Sequence, residues 1–265
     1  MTFPKSPRVI YKKNPLIKVI CQLRFPTILA INVKEPNEYQ EAIRDCFPQY
    51  EVRVDKRHEF SFQKQEEDII PQGVEAYTVK NHEFTSSNDK CRINLTSTFI
   101  SLSTEQYTRW EDFIKEFERP LECLMEIYKP AYFTRTGLRY IDAFRRSNLN
   151  LEDSGWHELI NSFALGFLSS DDISESNFTM NNLETEMALD DGKSNLKIRS
   201  NLSVVPNEAE IQYIIDSDFY SSERLNNLSE VKNKVQYLHS NSTNFIRWVI
   251  KDKLHYAMEP EELCQ

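Results

Sequence analysis

Apolar and polar residues alternate with a period of two over residues 17–25, with apolar side chains at Ile17, Val19, Cys21, Leu23 and Phe25. That alternation predicts a strand with one buried face. Past Pro36 the spacing lengthens: Tyr39, Ala42, Ile43 and Phe47 recur at helical intervals, and Pro48 closes a short helix expected over 38–47. Residues 50–63 and 74–104 return to the shorter period through Val52/Val54, Phe60/Phe62, Ile93/Leu95 and Ile100/Leu102, with Ser86-Ser87-Asn88-Asp89 as a turn. They read as antiparallel hairpins. From Tyr107 onward, Trp110, Phe113, Ile114, Phe117, Leu121, Leu124, Met125 and Tyr128 fall three or four residues apart, opposite Glu111, Asp112, Lys115, Glu118 and Glu122. This is a long amphipathic helix, with a kink expected at Pro120 and an end before Pro130. Its aromatic stripe, Trp110 included, is read as a packing face.

The same order then recurs. Residues 132–144 alternate as a strand, 156–167 read as a helix, and 177–189, 195–205 and 210–219 read as three strands, the first two joined at Asp190-Asp191-Gly192. A final helix starts near Leu228; its apolar positions from Val231 to Leu254 hold helical phase across Asn241 to Asn244, which favours one long helix. Strand, short helix, meander and long helix appear twice, which predicts an internal duplication. Leu23-Arg24-Phe25 and Leu138-Arg139-Tyr140 are its best matching residues. The expected fold class is α+β, a mostly antiparallel sheet with helices on one face and the other face open. The boundaries are a basic arm over 1–14, halves over 15–130 and 131–258, and a tail over 259–265.

Composition narrows the function classes. The chain has 265 residues, 40% hydrophobic and 28% charged, enough to bury a core and too apolar for a disordered chain. Its five glycines are scattered, so Rossmann and P-loop phosphate cradles are not expected. The five cysteines, Cys21, Cys46, Cys91, Cys123 and Cys264, are widely spaced and form no C-x-x-C, which argues for a reducing cytoplasm and against a zinc or disulfide framework. Neither a signal peptide nor a membrane span is readable. Residues 1–130 hold 19 basic and 20 acidic side chains, and residues 131–265 hold 13 and 21, so the second half carries −8 of the net −9. The arm itself is basic, with Lys5, Arg8, Lys12 and Lys13 and no acid, and reads as a solvated terminus.

Strand parity assigns faces to the chemistry. Leu23 and Phe25 share the apolar face while Arg24 points away; Leu138 and Tyr140 face one way, and Arg135, Gly137 and Arg139 the other. Arg24, Arg135 and Arg139 are therefore the candidate binding residues, since guanidinium groups on rigid strands suit bidentate contact with carboxylate or phosphate. Cross-strand ion pairing with Asp and Glu is the structural alternative. Leu138, Tyr140, Asp142 and Trp110 are read as structural. Asp216 and Asp218 share one strand face, without enough companions for a metal site. The histidines, His58, His82, His157, His239 and His255, are scattered outside any nucleophile or H-E-x-x-H pattern. No catalytic residue, metal or cofactor is expected.

The run Arg135-Thr136-Gly137-Leu138-Arg139-Tyr140-Ile141-Asp142, with Asn14-Pro15-Leu16-Ile17-Lys18-Val19, Leu102-Ser103-Thr104 and Tyr107-Thr108-Arg109-Trp110, resembles a sporadically distributed bacterial and archaeal family of roughly 250-residue proteins with no established activity. The likeness covers nearly the whole chain. Patchy distribution implies a role in mobile-element conflict, such as phage defence or toxin neutralisation. The expectation is a non-enzymatic cytoplasmic protein that binds a protein partner, homo-oligomers being allowed and membranes not. A nucleic-acid or nucleotide-binding module using the arginine-bearing face is the alternative, against which the acidic pI of about 5.2 weighs.

Overall fold

A computed structural model describes residues 2–65, 68–170, 172–205, 208 and 210–262, with the backbone alone for 55–65 and 68–77. Cys264, Asp171 and the end of the 259–265 tail lie outside the described residues. In chain order the elements are β1 (Val9–Tyr11), β2 (Leu16–Arg24), α1 (Leu29–Val33), α2 (Asn37–Ile43), β3 (Gln49–Gln65), β4 (Asp68–Thr85), β5 (Cys91–Leu95), β6 (Phe99–Thr104) and α3 (Trp110–Ile127). There follow β7 (Arg135–Phe144), α4 (Trp156–Leu159), β8 (Asn182–Ala188), β9 (Ser194–Val204), β10 (Ile211–Ser221), α5 (Leu228–Val249), α6 (Asp252–Ala257) and β11 (Pro260–Glu262).

Nine strands form one antiparallel sheet in the order β3-β4-β5-β6-β2-β7-β10-β9-β8. The α+β class expected from the sequence is the one observed. Each half sends its opening strand to the middle, where β2 pairs with β7, and each opening strand is flanked by the last meander strand of its own half, β6 or β10. The sheet therefore runs without interruption from one half into the other. At one edge β3 and β4 pair from Gln49↔Thr85 to Gln65↔Asp68, whereas β4 meets β5 only at 82–85, so this hairpin projects beyond the rest of the sheet.

Alternation decides which face is buried. Val19, Cys21 and Leu23 of β2, Leu138 and Tyr140 of β7, and Tyr213, Ile215 and Phe219 of β10 are buried on one face, and α3 and α5 lie across it with Phe113, Phe117, Leu124, Val231, Val235 and Phe245. Three shorter helices lie on this side as well: α1 contributes Ile31, α2 contributes Tyr39 and Ile43, and Trp156 of α4 packs on Tyr213 with ring centroids 5.4 Å apart. We call the opposite side the polar face.

Four departures from the sequence reading have local causes. A bulge between Leu16 and Lys18 breaks the period of two, so Leu16 takes the position opposite Asp142 and Ile17 is turned out, 46% exposed. The helix expected over 156–167 is one turn, α4, followed by 3₁₀ turns at Ser162–Ala164 and Gly166–Ser169, because Ile160 leaves the helix to bridge Ile250. The same bridge ends α5: Ile250 is extended at φ −86° and ψ 144°, so the final helix breaks there and stays continuous through Asn241 to Asn244. Finally, the basic arm is folded, since β1 pairs with β11 of the tail, and Phe3 is buried against Phe245 and Trp248.

Candidate functional site

The three arginines singled out by parity stand on the polar face at the centre of the sheet. Arg24 lies opposite Arg135 across the β2–β7 pair, and its Nε donates to Gln22 Oε1 at 3.1 Å. Two like charges directly opposite are unfavourable. Arg135 is turned the other way: its guanidinium lies over Gly137, 4.8 Å from the Tyr220 ring centre, and Nη2 donates to Asp218 Oδ2 at 2.7 Å. Arg139 makes a bidentate pair with Asp216, Nε to Oδ1 at 2.6 Å and Nη2 to Oδ2 at 2.5 Å. That hydrogen bond holds the Arg139 pKa above the usual guanidinium value.

The pairing continues outward across β9 and β8. Arg199 Nη1 lies 3.8 Å from Asp216 and its Nε donates to Glu184 at 2.7 Å, while Lys197 reaches the same carboxylate at 2.6 Å. Tyr220 donates to Glu186. Four cations, Arg135, Arg139, Lys197 and Arg199, thus interlock with three carboxylates, Glu184, Asp216 and Asp218, and Glu186 joins the lattice through the Tyr220 hydroxyl. The −8 of the second half is carried by residues outside this lattice. The two aspartates that share a strand face are held by guanidinium groups.

Sequence reasoning missed a second site, on the helix-bearing face of β7. Tyr140 and Asp142 of the same R-x-G-L-R-Y-I-D run point there, beneath α5. The Tyr140 hydroxyl lies 2.9 Å from His239 Nδ1, and Trp110 stacks on the His239 ring at 4.2 Å and 9° while its Nε1 donates to Gln236 at 3.0 Å. Burial, reinforced by Arg8, lowers the His239 pKa to about 3, so the ring is neutral. Leu138 is fully buried one pleat away. Tyr140, Asp142 and His239, together with Tyr107, Ser217, Ser242 and Thr243, line a cavity of about 100 Å³. Asp142 faces it with 4% of its surface exposed, and desolvation raises its carboxyl to about 7. A perturbed carboxyl in a cleft is a functional-site signal. Tyr140 and His239 are 99 positions apart, so spacing gave no hint of their contact.

No protein-family model matches the chain, and no curated protein matches it. No helix among the described residues is long and apolar enough to cross a membrane.

Proposed function

We propose that the protein is a non-catalytic accessory subunit that docks a protein partner on the polar face of its sheet, as a neutralising component of a cytoplasmic phage-defence or toxin–antitoxin-like system. One observation carries the reading: a lattice of interlocked charges of both signs stands on rigid strands, on the side away from α3 and α5. Such a surface is already ordered before binding, and alternating charge selects a partner by electrostatic complementarity more than by raw affinity. The alternative, a nucleic acid or nucleotide held by Arg24, Arg135 and Arg139, asks Arg135 and Arg139 to leave Asp218 and Asp216, in a chain of net charge −9.

Cross-linking in the native host tests the proposal. Lys18 and Lys197 stand on the polar face, and Lys232, Lys234 and Lys253 on the helices. A stoichiometric partner cross-linked through the first pair, and lost on Arg199→Glu with unchanged circular dichroism, is the expected result. Cross-links confined to the helix lysines would overturn it. So would oligonucleotide binding at low salt that disappears in Arg139→Ala.

A further inference from the structure

The cavity beside Asp142 has a chemistry of its own. Asp142 is buried, yet no hydrogen-bond donor or cation among the described residues engages its carboxylate, and apolar side chains stand beside hydroxyls in the wall around it. A buried carboxylate without a partner is costly, and proteins ordinarily pair such a group or neutralise it. Three of the hydroxyls around it have their protons committed elsewhere. Ser242 Oγ donates to the His239 carbonyl at 2.8 Å, Thr243 Oγ1 donates to the same carbonyl at 3.2 Å, and Ser217 Oγ donates to the Tyr140 carbonyl at 3.5 Å. Each of these oxygens is left with lone pairs to offer. A carboxylate and three such hydroxyls make an acceptor-rich pocket, which calls for a cationic donor.

Size and walls narrow the class. About 100 Å³ is roughly three times the share of one water molecule in the liquid, more than a bare alkali ion needs and enough for a cation of a few heavy atoms. Leu16 and Ile246 give the lining apolar walls, and the rings of Tyr107 and Tyr140 stand edge to face, their centroids 6.2 Å apart. Aromatic faces and alkyl side chains suit an alkylammonium ion, whose charge meets acceptors and whose carbons meet these walls. A divalent metal is a poorer fit, because Asp142 is the only carboxylate lining the cavity among the described residues.

We propose that the pocket between β7 and α5 binds a small primary alkylammonium ion, with Asp142 as its counter-ion, Ser217, Ser242 and Thr243 as acceptors, and Leu16 and Ile246 against its alkyl end. The titratable and charged groups around the pocket are Tyr140 on β7, Tyr107 ahead of α3, His239 on α5 and Tyr11 on β1, with Arg8, Glu111 of α3 and Arg247 further out. The tyrosines are shifted upward and His239 downward, so all four are neutral near pH 7 and Asp142 alone changes charge there. Binding of the cation therefore lowers the pH at which Asp142 loses its proton.

Ethylammonium chloride titrated into the full-length protein, against potassium chloride at equal ionic strength, is the test. A ligand of three heavy atoms is expected to bind with a dissociation constant no tighter than about 1 mM by ligand-efficiency limits. The expected results are a rise in thermal midpoint above the potassium control and a fall in the Asp142 carboxyl titration midpoint followed by carbon-13 NMR. Asp142→Asn is expected to remove the ethylammonium response, and Ser242→Ala to weaken it about tenfold by loss of one acceptor. Equal responses to the two salts, or an undiminished response in Asp142→Asn, would overturn the proposal. The outcome is independent of the polar-face lattice, so the docking proposal and this one can fail separately.

Discussion

Gly137 has no side chain beneath the Arg135 guanidinium, and a Cβ built there would lie 2.3 Å from Arg135 Nη1. The glycine in the R-x-G-L-R-Y-I-D run is thus the space through which Arg135 turns from Arg24 toward Asp218. Alternate residues of the same run serve the other face, where the buried Asp142 carboxyl carries an electrostatic cost. Burial pushes that carboxyl from an ordinary 3.8 up to about 7. Between those values the native state binds the extra proton, so the group's contribution makes stability fall as pH rises from about 4 to about 7, and level off above. The gap corresponds to on the order of 4 kcal/mol. Asp142→Asn is therefore expected to be more stable than wild type at about pH 8, by up to that amount, with the advantage vanishing near pH 4. Urea denaturation at several pH values measures it, and a difference that does not change with pH would refute the assignment.

Elements were legible where one period ran undisturbed. β7, β9, α3 and the part of β2 beyond its bulge follow directly from spacing of two or of three and four, and parity placed Arg135 and Arg139 on one face with Tyr140 and Asp142 on the other. Other features depend on partners that periodicity does not contain. Ile250 keeps helical phase although it is extended, because the event that removes it from α5 is a bridge to Ile160, distant in sequence. α1 is a five-residue helix with one buried side chain, Ile31, and no capping side chain, so it leaves little pattern to read. The lattice on the polar face needs the β7–β10 register, and the pocket needs α5 laid over β7. The start of α5, in contrast, has a local signal. Asn227 Oδ1 accepts from the Glu230 amide at 2.9 Å, while Glu230 Oε2 accepts from the Asn226 amide at 2.8 Å. Asn227→Ala is expected to lower stability by about 1 kcal/mol, as loss of an N-cap usually does. Chemical denaturation of the two proteins side by side would show it, and a change under about 0.3 kcal/mol would mean that tertiary packing alone fixes this end.

At the scale of the molecule, the two chain ends close over the helix layer. The arm runs from Phe3, whose ring lies 5.2 Å from Phe245 and 5.6 Å from Trp248, past Ser6, whose amide donates to Asn244 Oδ1 at 3.1 Å, to Arg8 on Glu111. It then pairs as β1 with β11, and Lys12 and Lys13 donate their amides to Glu259 and Met258 carbonyls at 3.2 and 3.1 Å. Its basic character is therefore the lesser part of its role. The Lys12–Glu261 and Lys13–Glu259 pairs are solvent-exposed, and such pairs contribute little. Phe3 is 3% exposed and ties the start of the chain to α5, the helix that roofs the Asp142 pocket. Removing a buried phenylalanine ring ordinarily costs about 3–5 kcal/mol, so Phe3→Ala is expected to cost about 3 kcal/mol. Lys12→Ala and Lys13→Ala are expected to change stability by less than about 0.5 kcal/mol each. Urea melts of the three variants distinguish a folded clasp from a solvated basic arm: if Phe3→Ala were as silent as the lysine variants, the arm would have no part in holding α5 over the sheet.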